Sequence, residues 1–310
     1  MQGMITVFWK ELADHFTSWR FIILFALVLL AAVLATRGAF ESIRGEVTGV
    51  APFVFLRLFT VSGEMLPPFL YFIVLLVPIV GIVLGFDAIN SERNSGTLSR
   101  LLSQPIYRDA VINGKFLAGV VTIAIMLTSI VILVSGIGLR MIGVPPSSEE
   151  AIRLLVFLLV SIVYGAFWLG LAILFSILFR RVATSALASI AVWIFFFFFW
   201  SMLASAIANM LAPAGEMVSS QLRNIEVNLM FMLVSPINLF QQAMVVLLIP
   251  GMRTLGQILQ SPGGLVLTSA LPLSQSLLSV WPHLVSLIAL TVVCFAISYI
   301  KFMREEIRST

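Results

Sequence analysis

The sequence contains few charged residues for its length. Asp, Glu, Lys and Arg make up 10% of its 310 residues, whereas an average soluble domain has about 25%. Hydrophobic residues make up 60%, and the mean hydropathy is +1.11. So much apolar surface is not stable in water. The composition therefore excludes an ordinary soluble protein and favours an integral membrane protein.

Cysteine and histidine are almost absent. The single cysteine, Cys294, cannot form an intrachain disulfide. The two histidines, His15 and His283, are far apart, and no segment has the spacing of metal ligands. The serines of the apolar segments lack a neighbouring base that would activate them. We therefore expect no metal site and no catalytic residues in this chain.

Six stretches are apolar and long enough to cross a bilayer, which takes about 20 helical residues. They are 20–36, 67–89, 115–137, 154–179, 183–208 and 282–301. The predicted fold is an all-α membrane protein with six transmembrane helices, in one domain over residues 1–310.

Basic residues are more frequent on one side of these predicted spans. If the N-terminus is inside, the inner side holds eleven of the 18 Lys and Arg: Lys10, Arg20, Arg93, Arg100, Arg108, Lys115, Arg180, Arg181, Lys301, Arg304 and Arg308. This asymmetry predicts that both termini are cytoplasmic. It also accounts for the net charge of +4 without nucleic-acid binding, which needs a basic patch on a polar surface.

Residues 1–19 have a different pattern. Apolar residues recur there at helical spacing, with Lys10, Glu11 and Asp14 elsewhere on the wheel. The pattern predicts an amphipathic helix at the membrane surface. It is either a simple anchor for the first span or an elbow helix that lies against the side of the bundle. Its proposed interfacial residues are Phe8, Trp9, Leu12, Phe16 and Trp19.

Residues 209–281 are predicted to be an outer-side segment. Within it, Val227–Pro250 is apolar but has Ser235, Pro236, Asn238 and two glutamines at its centre. Because unpaired polar groups are costly in hydrocarbon, we expect outer-side helices that lie on the membrane or dip into it. A true seventh span is the alternative, and it would place the C-terminus outside.

The sequence also lacks the groups that would supply energy. No ionisable residue lies near the middle of a predicted span, which argues against an ion-driven carrier. The single Gly-Lys pair, Gly114-Lys115, is followed by Phe116, and Asp109 stands where a phosphate-binding loop needs its first glycine. A pump with this sequence must therefore obtain its energy from a partner.

Residues 90–114 form the predicted cytoplasmic loop between the second and third spans. Leu98, Leu101 and Leu102 form an apolar stripe, Ser95 or Thr97 caps its start, and Pro105 ends it. The pattern predicts a short amphipathic helix. Its leucine face either binds a partner subunit or lies flat on lipid headgroups.

This loop resembles that of ABC type-2 transporter permeases, most closely the branch with the permease of the nitrous-oxide reductase maturation transporter. The matching residues run from Asp87 through Gly-Thr-Leu, Leu-Leu-Ser and Pro-x-x-Arg to Gly114-Lys115. In this family the helix is a coupling helix. The resemblance implies the ATPase-coupling residues Glu92, Arg93, Gly96, Thr97, Leu98, Leu101, Leu102, Pro105, Arg108, Gly114 and Lys115.

The resemblance further implies an exporter permease in the plasma membrane of a prokaryote. It would pair with a second copy or a close paralogue, and two ATP-binding cassette ATPases would bind below. ATP and Mg²⁺ would bind to those ATPases, and this chain would bind no cofactor. The alternative is a signalling or mechanotransmission subunit that uses an ATPase but translocates nothing.

Small and aromatic residues suggest further contacts. Gly81 and Gly85 allow a close helix–helix approach, either within the chain or at a dimer seam. The run Phe195–Phe199 followed by Trp200 indicates a lipid-facing or packing surface in preference to a substrate site.

Overall fold

The computed structural model describes residues 2–46, 53–63, 67–96, 107–213, 215, 218–250 and 271–304. These residues are predominantly helical. The helices are α1 (Gln2–Thr17), α2 (Trp19–Glu46), α3 (Val54–Thr60), α4 (Phe69–Gly85), α5 (Asn90–Asn94), α6 (Arg108–Ile142), α7 (Ser148–Leu178), α8 (Val182–Ile194), a π-helix (Phe195–Phe199), α9 (Trp200–Leu211), α10 (Val218–Met232), α11 (Pro236–Leu248) and α12 (Leu273–Arg304).

Six helices of the described chain are long and apolar enough to cross a membrane. They are Trp19–Arg44, Phe69–Asn94, Arg108–Ile142, Ser148–Leu178, Val182–Leu211 and Leu273–Arg304. The predicted all-α membrane fold with six transmembrane helices is confirmed. We call the end of the bundle that holds α1 and residues 86–96 the inner end, and the opposite end the outer end.

Several helices are longer than the predicted spans. Helix α6 covers Arg108–Ile142 instead of 115–137, and α12 begins at Leu273 instead of 282. At 1.5 Å per residue, α6 is about 50 Å long, whereas the hydrocarbon core is about 30 Å thick. Hydropathy detects only the apolar middle. One consequence is that His283 lies three turns inside α12 and not at its end.

Helix α7 is the most buried of the six spans. It begins with a capping box, in which Ser147 Oγ accepts the Glu150 N–H and Glu150 Oε2 accepts the Ser147 N–H, at 3.2 and 2.8 Å. Two unpaired N–H groups at the helix start are thereby satisfied. The buried sides of α4, α11 and α12 pack against α7.

Two glycines allow α4 to approach α7 closely. A Cβ added to Gly81 would lie 2.8 Å from the Gly165 carbonyl oxygen, and one added to Gly85 would lie 2.8 Å from the Leu169 carbonyl oxygen. Both neighbours are backbone atoms of α7, which cannot move aside easily. The structure therefore places Gly81 and Gly85 in helix packing within the chain.

The segment Val227–Pro250 is not one straight helix. The helices Ser219–Met232 and Pro236–Leu248 meet at an angle of 111°. Trp200 Nε1 donates a hydrogen bond to the Phe231 carbonyl oxygen at 3.0 Å. Trp200 lies about 17 Å along the helix from Leu211, which is the outer end of the fifth span. Because Trp200 contacts the bend between α10 and α11, this bend lies well below that outer end.

The bend also satisfies its own polar groups. Ser235 Oγ accepts the Asn238 N–H at the start of α11, and Trp200 satisfies a carbonyl in the last turn of α10. Helix α11 then enters the core, where Phe240 stacks on Tyr164 with ring centroids 4.2 Å apart. The described part of the predicted outer-side segment thus includes a helix that is buried among α4, α7 and α12.

The fifth span has the most exposed surface. Only 6% of the most apolar part of this span is buried within the chain. The π-helix interrupts it, and Phe198 and Phe199 are 59% and 53% exposed. The five phenylalanines therefore lie mainly on the outside of this chain.

Candidate functional site at the inner end

Residues 86–96, which we call the loop stem, carry the second span into the predicted coupling loop. The stem contains the short helix α5 and ends at Gly96, whose φ of +69° is left-handed. Glycine adopts this conformation without steric cost. The Ser95 hydroxyl donates to the Glu92 carbonyl oxygen, at the end of α5.

One side of the loop stem is joined to the inner end of α7. The N–H groups of Ile89 and Asn90 both donate to Ser176 Oγ, at 2.9 and 3.2 Å. Both stem residues and Ser176 are fully buried. Asn94 Nδ2 also donates to the Arg180 carbonyl oxygen at 3.2 Å. Ser176 thus satisfies two backbone donors at the start of α5, as an N-cap from another helix would.

The other side of the stem is joined to α1 through one buried lysine. Lys115 Nζ lies 2.8 Å from Glu11 Oε1 and 2.9 Å from Glu92 Oε1. The Lys115 side chain is 5% exposed, and those of Glu11 and Glu92 are 11% and 13% exposed. At the rim, Lys10 Nζ lies 3.0 Å from Glu11 and 3.8 Å from Glu92. We call Lys10, Glu11, Glu92 and Lys115 the charge cluster.

Burial and the charge cluster together shift the pKa values of three α1 side chains. Burial acts to raise the pKa of Glu11, but the Lys115 and Lys10 ammonium groups hold that pKa below its usual value. Burial acts to lower the pKa of Lys10, yet Glu11, Glu92 and Asp14 leave it raised. Burial lowers the pKa of His15, with Glu11 opposing that shift. At neutral pH the α1 face therefore presents a carboxylate, an ammonium and a neutral imidazole.

A second ion pair connects the stem to the first span. Arg20 donates a hydrogen bond to Asp87 Oδ2 at 2.6 Å, and its guanidinium lies 5.5 Å from the centre of the Phe86 ring. The first and second spans lie side by side, which brings Arg20 against Asp87 at the inner end.

Helix α1 lies against the bundle with Val7 and Glu11 inward. Val7 is buried, and a Cβ added to Gly114 would lie 2.9 Å from Val7 Cγ1. Trp9 and Trp19 are 63% and 77% exposed. Tryptophan at a membrane surface prefers the headgroup region. The arrangement suits the predicted interfacial helix, whose Phe8 and Leu12 are half-buried and whose Phe16 is 38% exposed.

The charge cluster borders an open cleft of about 290 Å³ between α1, the loop stem and the start of α6. Its lining also includes Asp14, His15, Arg20 and Asp87. Charges of both signs face it, and most of them are already paired.

The predicted coupling residues fall into three groups. The structure brings Glu92, Gly114 and Lys115 together at the contact with α1. Arg93 and Arg108 are half-buried near the two ends of the loop, and Gly96 is exposed. The remaining five lie outside the described residues: Thr97, Leu98, Leu101, Leu102 and Pro105.

Sequence reasoning missed Glu11 and Ser176. A helical wheel puts Glu11 on the polar side of α1 and does not show that a buried lysine will face it. Ser176 looks in the sequence like the ordinary serines of apolar helices, which most often serve helix–helix packing. The available signal is its position four residues before Arg180, the first residue of the basic pair at the inner end of α7.

Comparison with known proteins gives two results. A family model described as ABC-2 family transporter protein matches residues 5–307. A protein of Pseudomonas aeruginosa, described as the probable ABC transporter permease protein NosY, is 28% identical over 195 residues. Those residues are 62% of this chain and 66% of that relative, so the match spans just under two thirds of the relative's length.

Proposed function

This chain belongs to the ABC-2 family of transporter proteins, and from that premise we propose that it forms the translocation path of an ATP-driven exporter. It takes its energy from two ATP-binding cassette ATPases, which bind ATP and Mg²⁺ below the membrane. A second permease copy, identical or a close paralogue, completes the path. The complex lies in the plasma membrane of a prokaryote, with both permease termini in the cytoplasm.

The observation that carries this proposal is the double attachment of the loop stem. Lys115 joins it to α1 on one side, and Ser176 joins it to α7 on the other. A force on the leucine-faced loop at 97–106 would therefore reach α1 and the most buried span together. In an exporter, such a shift of rigid helices opens an outward path.

The predicted coupling residues have two different roles in this proposal. Glu92 and Lys115 face inward and connect parts of this chain. We assign contact with the ATPase to the leucine face of the loop, namely Leu98, Leu101 and Leu102. Gly96 then provides the turn at which the loop leaves the stem.

Co-purification tests the proposal directly. The chain is co-expressed with the ATP-binding cassette ATPase encoded nearest to its gene, and the complex is isolated through a tag on the permease. Leu101→Asp should abolish recovery of the ATPase while the permease stays in the membrane. Leu211→Asp is a matched control, since Leu211 is an exposed leucine at the other end of the bundle. Undiminished recovery with Leu101→Asp would contradict the proposal.

ATPase measurements in liposomes separate an exporter from a signalling subunit. The complex is reconstituted in proteoliposomes of defined lipid. A compound that stimulates ATP hydrolysis and also appears on the other side of the bilayer supports the exporter. Stimulation only by an added outer-side protein, without translocation, would favour the mechanotransmission alternative.

A further inference from the structure

The outer end of the bundle contains a fully buried arginine. Arg153 lies in the second turn of α7 and has no measurable exposed surface. The cost of burying a guanidinium is large unless every N–H group finds an acceptor. Arg153 meets that condition completely.

All five N–H groups of Arg153 donate hydrogen bonds. Nε and one terminal nitrogen donate to Glu149 Oε1, at 3.1 and 2.8 Å. The remaining three bonds reach other parts of the chain: the Leu247 carbonyl oxygen at 3.0 Å, Ser276 Oγ at 3.0 Å and the Leu271 carbonyl oxygen at 2.7 Å.

These acceptors belong to two elements that pack against α7. Leu247 is in the last turn of α11, the buried arm of the bent helix pair. Ser276 is in the first turn of α12, and Leu271 lies just before it. The Leu271 N–H also donates to the Pro250 carbonyl oxygen at 2.9 Å. Arg153 thus connects α7 to both sides of the junction between α11 and α12.

The opposite end of the same helix carries Ser176, which holds the loop stem. Arg153 and Ser176 are separated by about 35 Å of helix, which is close to the thickness of the hydrocarbon core. Between them α7 contains no proline, and its hydrogen-bonded helix runs unbroken from Ser148 to Leu178. A buried helix of this kind moves as one body.

We propose that α7 transmits motion of the loop stem to the outer end, and that Arg153 is the positioning residue through which α11 and α12 follow it. Movement of the stem displaces α7 through Ser176. Arg153 then carries α11 and the start of α12 with it, and this joint movement opens the outer end. This inference rests on the proposed ATP-driven function, and it assigns the outer response to one helix and one guanidinium.

A single reporter cysteine tests it in the assembled complex with the ATPase. In a Cys294→Ser background, Ala243→Cys places a thiol on α11 at a position with no exposed surface. A membrane-impermeant maleimide is added from the outer side, with and without ATP and Mg²⁺. With Arg153 and Ser176 intact, we expect ATP to accelerate labelling at least about tenfold.

Arg153→Gln should remove this acceleration while the complex still hydrolyses ATP. Ser176→Ala, at the other end of α7, should remove it to a similar degree. Arg140→Gln is the matched control for the first variant, since Arg140 is an exposed arginine at the outer end of α6. Ser129→Ala is the control for the second, because Ser129 is exposed and donates only to Ile125 of its own helix. Both controls should keep the ATP response.

The possible results are distinct. An ATP response that survives in Arg153→Gln, whatever the effect on thermal stability, overturns the inference and leaves Arg153 a structural residue. A hydrolysing complex whose reporter never responds to ATP overturns it as well. Failure of the unsubstituted chain to assemble with or stimulate any ATPase overturns the proposed function itself. If Arg153→Gln does not reach the membrane, Ser276→Ala removes one acceptor, and an undiminished response there also counts against the inference.

Discussion

Lys115 Nζ lies between Glu11 Oε1 and Glu92 Oε1, within 2.9 Å of each. The two carboxylates come from α1 and from the loop stem. Lys115 is their buried counter-ion, whereas Lys10 contacts both of them from the exposed rim, at 3.0 and 3.8 Å. The buried ammonium therefore compensates most of the cost of holding two carboxylates at that depth.

Removal of this ammonium should weaken the fold at the inner end. We expect Lys115→Met to cost about 3 kcal/mol, because two buried carboxylates then lie close together without their main counter-ion. The measurement is the apparent unfolding temperature of the purified chain in detergent. Lys10→Met is the matched control. Its ammonium is half-exposed, so its loss should cost about 0.5 kcal/mol or less. Equal losses for the two variants would show that Lys115 is not the principal partner.

Acidification should release α1 from the bundle. Glu11 has a pKa below its ordinary 4.5, so the stabilisation from its ionised form is present above that pH and is lost as the pH falls through the lower folded value. His15 has a pKa below its ordinary 6.5, so the contribution of its neutral form declines as the pH falls below 6.5. Docking of α1 should therefore weaken below about pH 6.5 and further below about pH 4.5.

Amide hydrogen exchange of residues 2–17, corrected for the intrinsic effect of pH, measures this release. His15→Gln should remove the upper part of the transition and leave the lower part. Protection that stays constant from neutral pH down to about pH 5 would show that His15 does not control α1. Protection that also stays constant well below the ordinary pKa of Glu11 would show the same for Glu11.

A bulkier residue at Gly85 should separate α4 from α7. The added methyl of Gly85→Ala would meet the Leu169 carbonyl oxygen and Ala172 Cβ at 2.8 Å. We expect a cost of about 1–3 kcal/mol, typical of overpacking, seen as a lower unfolding temperature. Gly136→Ala is the control, because its added Cβ meets nothing within 4 Å. That change should be neutral or stabilise α6 by up to about 1 kcal/mol.

The depth of the bend between α10 and α11 depends on Trp200. Trp200→Phe keeps an aromatic ring but removes the N–H that donates to Phe231. The Phe231 carbonyl oxygen also accepts the Val234 N–H at 3.1 Å, so the variant removes one of its two hydrogen bonds and should cost about 1 kcal/mol. Thermal unfolding of the purified chain checks this, with Trp281→Phe as control, since Trp281 is 63% exposed. A loss no greater than that of the control would indicate that the bond from Val234 is sufficient for this carbonyl.

The spans could be predicted because they depend on local composition. A run such as 115–137 is apolar enough to require lipid wherever its neighbours lie. The ends of α6 and α12 could not be predicted in the same way, because a helix continues past the hydrocarbon as long as its backbone groups are satisfied. The capping box at Ser147 and Glu150 is a sequence signal for the start of a helix. It marks the start of α7 at Ser148, where the structure has it.

The polar contacts at the two ends of α7 could not be predicted from sequence position. In the sequence, Arg153 is one of the basic residues outside the inner-side group, and Glu149 four residues earlier is a typical helix partner for it. Its burial depends on α11 and α12 closing over it, which is a property of the tertiary fold. Similarly, Lys115 matched the family motif, but the identity of its partner Glu11 follows only from the docking of α1.

The π-helix at Phe195–Phe199 has a consequence for how this protein tolerates sequence change. A π-turn accommodates one residue more than an α-helical turn would, and one residue corresponds to about 100° of rotation. The π-turn therefore absorbs that extra residue without rotating the helix that follows it. Deleting a single Phe would let the fifth span become uniformly α-helical with the Trp200 indole still directed at the Phe231 carbonyl. A deletion inside the α-helical part of the span would instead turn that indole by about 100°.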